Sequence, residues 1–259
     1  MLPGFAKAEA LLLPSKATGH RPESSALHVT RRTEFVMQWL RLVGLSSAVR
    51  VVDGDVYASQ LIVPRPGRCG KPSFQEIAWL RRRLLNALHT GAGTGQVQAQ
   101  APRSPKTSVA DVLLLVQRAN LSDSLAASNH NLRRVVPNFE QLVRRPAEEY
   151  ARTHGLEFVL HSDANLPPVR EQLYGFSRAK VVVAPYGAGE VGLLAAPHGA
   201  CLVELADPMR VDKHGQAHIT NNSEYALLAQ LLGHRFLSVP TPGLHVDVAK
   251  LRSTLEKCT

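Results

Sequence analysis

The segment Ala179 to Leu205, AKVVVAPYGAGEVGLLAAPHGACLVEL, constrains the fold more than any other stretch of the chain. Lys180-Val181-Val182-Val183 is a β-branched run suited to a strand buried on both faces, as the centre of a parallel sheet requires. Tyr186-Gly187-Ala188-Gly189 then lets the chain turn tightly into a helix from Gly189 to Ala195, and a second apolar strand, Ala200 to Leu205, carries an acidic residue near its end. Glycines at such a turn leave backbone N–H groups unshielded at a helix start, an arrangement that accepts a diphosphate. The chemistry implied is nucleotide binding at the carboxyl end of a sheet.

The surrounding pattern agrees with that implication. Strand Asp111 to Val116, helix Asn138 to Arg152, strand Leu156 to Leu160 and helix Pro168 to Phe176 precede strand Ala179 to Ala184. After the second apolar strand come helix Ser223 to Leu232, strand Arg235 to Val239 and helix Val246 to Leu255. Five strands alternating with helices predict a right-handed, parallel, Rossmann-like sheet, whose ligands sit at the carboxyl ends of strands. Gln117-Arg118, His161-Ser162, Pro185 to Gly189 and Glu204 fall at those ends.

The amino-terminal half reads differently. Residues 1–25 are irregular, and a partial α/β part spans 26–89, with helical spacing from Thr33 to Val43 and strands at Val49 to Val52 and Val56 to Val63 around Asp53-Gly54-Asp55. Phe35, Val36, Trp39, Leu40 and Val43 share one face of the first helix. Ser73-Phe74-Gln75-Glu76 is a capping box opening a helix to about Leu88. Residues 90–108, rich in Gly, Ala, Gln, Pro and Ser, read as a flexible linker to a nucleotide-binding domain over 109–259.

Composition narrows the partners. A net charge of +9 favours acidic ones, while an aromatic content of only 5% gives no stacking platform for single-stranded nucleic acid, and no nucleic-acid motif is present. Arg81-Arg82-Arg83 and Arg144-Arg145 lie in helical patterns and read as solvated faces. Cys69, Cys201 and Cys258 lack metal-like spacing, and their odd number argues against a disulfide framework, leaving Cys201 as plain core. The apolar run Ala10 to Leu13 is too short for a signal peptide or a membrane span, so membrane contact is not indicated. Asn120-Leu121-Ser122 and Asn221-Asn222-Ser223 fit the glycosylation pattern, which carries meaning only in a secreted chain.

Gly187-Ala188-Gly189-Glu190-Val191-Gly192 formally matches a dinucleotide fingerprint. Three features oppose it: Glu204 follows Gly192 too closely for the usual ribose acid, Pro197 cuts the helix short, and the turn follows the third strand of its domain instead of the first. Arg118, just past the first strand, has the geometry for a bidentate phosphate clamp, with a surface arginine as the equal alternative. Asn138 with Gln141 reads as a helix N-cap, and Arg134 stays a phosphate candidate. Glu204 either binds ribose hydroxyls or simply ends an apolar strand.

Taken in order, VLLLVQR at 112–118, Arg134-x-x-x-Asn138, REQLYGFSRAKVVVAPYGAGEVGLL at 170–194 and CLVEL at 201–205 resemble glycosyltransferase family 61. That family has an Arg after the first strand, an R-x-x-x-N element, an acidic-Gln-Leu element, an H-G-A-G loop and a Glu ending the next strand. EFVMQWLRLVGL and DGDVYASQLIVPRPG, then a helix with consecutive arginines, resemble its bacterial and algal branch, so the likeness spans residues 26–240. The resemblance implies a two-domain, type B glycosyltransferase-like fold, from which this chain departs in an amino-terminal α/β part that is short for the family. It further implies inverting transfer, without metal or other cofactor, from a UDP-sugar to a glycan or glycoprotein hydroxyl.

The donor-binding set so implied is Arg118, Arg134, Tyr186, Gly187, Ala188, Gly189 and Glu204. The catalytic base is not identified; His20, His28 and Asp53 lie where one would be sought. The chain departs from the family in carrying Tyr186 for the loop His, in placing the charge of Glu190 beside the diphosphate position, and in lacking the anchor of eukaryotic members. A eukaryotic truncated form would belong in the Golgi or ER lumen and a bacterial one in the cytoplasm. The rival functions are a catalytically silent nucleotide-binding homologue and, more remotely, an NAD-dependent oxidoreductase.

Overall fold

The computed structural model describes residues 27–29, 34–46, 49–51, 73–90, 111–118, 135–206, 209–211, 217–219 and 224–259. The chain divides into two units, 1–103 and 104–259. The strand expected at Val56 to Val63 and the linker, apart from Thr90 at its start, lie outside the described residues.

In the first unit β1 (Leu27–Val29) and β2 (Val49–Val51) pair in parallel, with α1 (Glu34–Leu42) between them in sequence, so this unit too contains a β-α-β element. The short strand β1 has no counterpart in the sequence reading. Leu40, Val43 and Leu45 are buried, as are Ile77, Leu80, Leu84 and Ala87 of α2 (Phe74–Thr90), whereas Phe35 is exposed and meets Trp39 edge-on. The capping box is formed in both directions: Glu76 N–H donates to Ser73 Oγ at 3.2 Å, and Ser73 N–H to Glu76 Oε2 at 3.2 Å.

The second unit is built on a five-stranded, wholly parallel sheet, as the alternating pattern requires. Its strands are β3 (Val112–Gln117), β4 (Glu157–Ser162), β5 (Ala179–Pro185), β6 (Cys201–Ala206) and β9 (Arg235–Pro240), in the order β4-β3-β5-β6-β9. Between β6 and β9 lies a small antiparallel pair, β7 (Met209–Val211) and β8 (Ala217–Ile219), unmarked by any sequence signal. Helices cover both faces, which is why β3 and β5 are apolar at nearly every position instead of alternating. Leu113, Leu115, Val181, Val183 and Val203 pack on one face with α3 (Arg145–Thr153) and α6 (Val248–Leu255). Leu114, Val182 and Leu202 occupy the other, toward α4 (Val169–Ser177), the 3-10 segment Ala188–Leu194 and α5 (Glu224–Leu232). At the amino edge Arg178 ties two strands together, reaching Asp111 at 3.1 Å and Glu157 at 2.5 Å.

Three local expectations are corrected. The helix expected from Asn138 begins with a π-helical stretch, Glu140–Arg144, before α3. Its cause is Pro146, which has no N–H to give and whose ring crowds the carbonyl four residues back; the Arg145 N–H accordingly reaches Glu140 O, five residues away. Asn138 is not a side-chain cap: it sits at φ 54°, a conformation Asn tolerates better than most residues, and its carbonyl accepts from Gln141 and Leu142 N–H. The third correction concerns cysteine. Cys201, the first residue of β6, forms a disulfide with Cys258 in the carboxyl-terminal 3-10 turn Glu256–Cys258. The odd count misled because it leaves one cysteine over without forbidding a pair between the other two, 57 residues apart; Cys69 lies outside the described residues.

Gly192 has a packing role. A Cβ there would lie 2.3–2.5 Å from the ring carbons of Phe176, a fully buried side chain of α4. Gly192→Ala is therefore expected to destabilise the protein by about 1–3 kcal/mol in urea unfolding, the range for overpacking, with partial rescue by Phe176→Leu. A Gly192→Ala protein as stable as the parent would contradict this packing.

Candidate functional site

The strand order creates the site before any side chain is considered. From β3 the chain crosses to β4 on one side and then back over β3 to β5 on the other, so the crossovers diverge at the carboxyl ends of β3 and β5. In open parallel sheets that divergence opens the ligand crevice. Gln117-Arg118 leaves β3 there, and Tyr186 to Glu190 leaves β5. The two meet: a Cβ on Gly189 would lie 3.3 Å from Val116 Cγ1. That contact also changes how Gly189 can be probed, since a Val side chain would press into β3 as well as obstruct any ligand.

The turn after β5 opens a helix close to the expected Gly189 to Ala195, and it is a 3-10 helix, Ala188–Leu194. Its bonds run over three residues, from Glu190 N to Gly187 O and from Ala195 N to Gly192 O, and two glycines with Pro197 beyond deny it the length an α-helix needs. A segment so short has little macrodipole, so the turn's backbone geometry has to carry any anion binding.

Glu190 occupies the turn from within. Its carboxylate Oε1 accepts the Gly187 N–H at 2.7 Å, the half of a capping box that an N-cap glycine can make. The side chain is fully buried, and Oε2 meets no donor among the described residues. Glu204, buried on β6 at 1% exposure, faces Glu190. Burial first, and then the Glu204 carboxyl, push Glu190 well above the usual carboxylate range; the Gly187 N–H and the more distant Arg118 guanidinium pull the other way. The side chain points inward, so Glu190 does not obstruct the ligand side of the turn, although a charge on it would still act on an anion bound there. The spacing Gly187 to Glu190, N-cap to N3, was the signal available in the sequence.

Arg118 is mostly enclosed, with Nη1 3.3 Å from Asp163 Oδ2 at the end of β4 and Nε buried without an acceptor among the described residues. It is not a solvated surface arginine. His161 lies alongside, edge-on to Phe176; burial holds it below the ordinary imidazole value, Asp163 raises it and Arg118 lowers it further. Tyr186 donates its hydroxyl to Glu224 Oε2 of α5 at 2.5 Å and stacks edge-on with Tyr225. The structure thus brings Arg118, Gly187, Gly189 and Glu204 around one crevice and adds Glu190, His161, Asp163 and Glu224, while only the backbone of Ala188 is described. Arg134, His20 and Asp53 lie outside the described residues, and His28 is described only as backbone in β1. Among the described residues no group of three or more His, Cys, Asp or Glu could hold a metal ion, and no helix is long and apolar enough to cross a membrane.

A parallel, helix-covered sheet with a glycine turn at its switch point is a Rossmann-like architecture. The family model described as Glycosyltransferase 61 matches residues 2–203, and the chain belongs to that family. It is accordingly a glycosyltransferase, in agreement with the motif order read from the sequence. No curated protein matches the chain.

Proposed function

We propose that the protein transfers a sugar with inversion from a UDP-sugar to a hydroxyl of a glycan or glycoprotein, without a metal, in glycan biosynthesis. The observation that carries this reading is the convergence of Arg118 and the Gly187 turn at the switch point of the 104–259 unit. The diphosphate would lie against the turn's N–H groups, with Arg118 and Arg134 as cationic partners and Glu204 behind Glu190, whose carboxylate holds the turn. Tyr186, fixed by Glu224, would border the donor where the family carries His. Inversion needs only a base on the acceptor hydroxyl and a stabilised leaving diphosphate, so arginines and backbone donors suffice. The Cys201–Cys258 bridge suits an oxidising compartment, such as a secretory lumen or a periplasm, better than the cytosol.

One observation favours the silent-homologue reading: Glu190 already takes the Gly187 N–H that a phosphate would need. Titration with UDP beside a donor-hydrolysis assay over a panel of nucleotide sugars separates the two. The expected outcome is UDP binding and turnover of at least one UDP-sugar. Binding without turnover of any donor would support the silent form, and a thermal shift with NADH but not UDP would overturn both.

A further inference from the structure

We propose that Glu190 and Glu204 hold one proton between them, and that this proton makes Glu190 a positioning residue for the diphosphate site. With the proton in place, Glu190 braces the Gly187 turn at no cost in charge. Without it, a second buried negative charge stands beside the donor phosphates. The inference rests on the reading that a UDP-sugar binds at this turn.

The geometry requires some such arrangement. Glu190 is fully buried and Glu204 almost so, and one carboxyl faces the other. One oxygen of Glu190 is satisfied by the Gly187 N–H, while the other lacks a donor among the described residues. Two ionised carboxylates in contact away from water repel strongly, and a proton on one converts that repulsion into an O–H···O bond that satisfies the orphan oxygen. The charges of the described residues around Glu190 leave the repulsion in place. Among the described residues Arg118 at the end of β3 is a cation acting on Glu190, and it is shared with Asp163 at the end of β4. His161, held below its ordinary range by burial, adds no positive charge near neutrality. Toward α5, Glu224 is engaged by the Tyr186 hydroxyl, and the side chain of α4 against the 3-10 segment is the apolar Phe176.

The pair has a signature that needs no ligand. Its folded-state affinity for the proton exceeds that of an ordinary unfolded glutamate, so the folded protein binds more protons across the interval between the two. The stability contributed is complete below the ordinary carboxylate range and is lost as pH rises through the raised value. Urea unfolding of the full chain from about pH 5 to pH 8 should show this loss in the parent and not in Glu190→Gln, whose amide keeps the Gly187 acceptor and supplies a permanent donor toward Glu204. Parallel pH–stability curves for the two proteins would overturn the shared proton.

UDP titration supplies the positioning readout. Above the pair's ionisation the parent's affinity should fall by up to about tenfold per pH unit relative to Glu190→Gln, a comparison that cancels the nucleotide's own titration. Equal pH dependence in both proteins would overturn the positioning role. UDP binding to neither would instead remove the donor-site reading, leaving the stability curves to decide the pair.

Discussion

Replacing Cys258 with Ser should lower the stability of the protein by about 2–4 kcal/mol, the range usual for a native disulfide. The bridge joins residues 57 apart in sequence, and the chain-entropy relation for a loop of that size gives roughly 4 kcal/mol as the upper figure. Residual structure in the unfolded chain brings the loss below that figure, and the loss falls on the unfolded state because the native segment is anchored in other ways as well. Arg235 on β9 donates to the main-chain oxygens of Lys257 and Thr259, and Leu251 and Leu255 of α6 are fully buried against the sheet. In thermal unfolding the loss corresponds to a drop on the order of 5–15 °C for a domain of this size. The parent in reductant should converge on the Cys258→Ser midpoint, and identical midpoints with and without reductant would show that the bridge contributes nothing. UDP binding under native conditions should survive, because Cys201 opens β6 at the amino edge of the sheet, opposite the Gly187 turn.

What the sequence made legible follows the range of the physics involved. Strands such as Val112–Gln117 and Ala179–Pro185 announce themselves because burial on both faces demands an unbroken apolar run, and helix α2 because Ser73 and Glu76 cap it locally. The alternation of those elements is enough to imply a parallel sheet and to place Arg118 and the Gly187 turn at its carboxyl end. What was missed depends on partners distant in sequence, or on competition between neighbours. The Cys201–Cys258 pairing is decided by where β6 and the terminal turn meet in space. The π-helical stretch comes from Pro146 disturbing a ladder that its flanking residues would otherwise complete. Glu190 shows both limits: its spacing from Gly187 was visible, but its burial against Glu204 depends on β6 lying beside β5.

Arg118→Ala should reduce kcat/KM by about 2 kcal/mol or more, on the order of 30-fold, comparable with removing one preorganised donor to a developing anion. The leaving UDP gains negative charge as the sugar bond breaks, so a fixed guanidinium stabilises the transition state more than the bound donor. Arg118 is fixed, because Asp163 holds Nη1 at 3.3 Å and the side chain is mostly enclosed, so its guanidinium fork is held in place. Arg118→Lys should lower kcat more than donor affinity, because a point charge replaces that fork. Arg134→Ala should cost a similar 2 kcal/mol if both arginines clamp one diphosphate. A purely structural Arg118, serving only to offset Asp163, Glu190 and Glu204, gives a different pattern: lower stability in urea with kcat/KM of the folded fraction within about 0.5 kcal/mol of the parent. Steady-state kinetics corrected for the folded fraction, set beside urea midpoints for the same variants, distinguish the two. Near-parental kcat/KM in Arg118→Ala would sink the clamp, because the remaining turn N–H groups would then be sufficient for the leaving diphosphate.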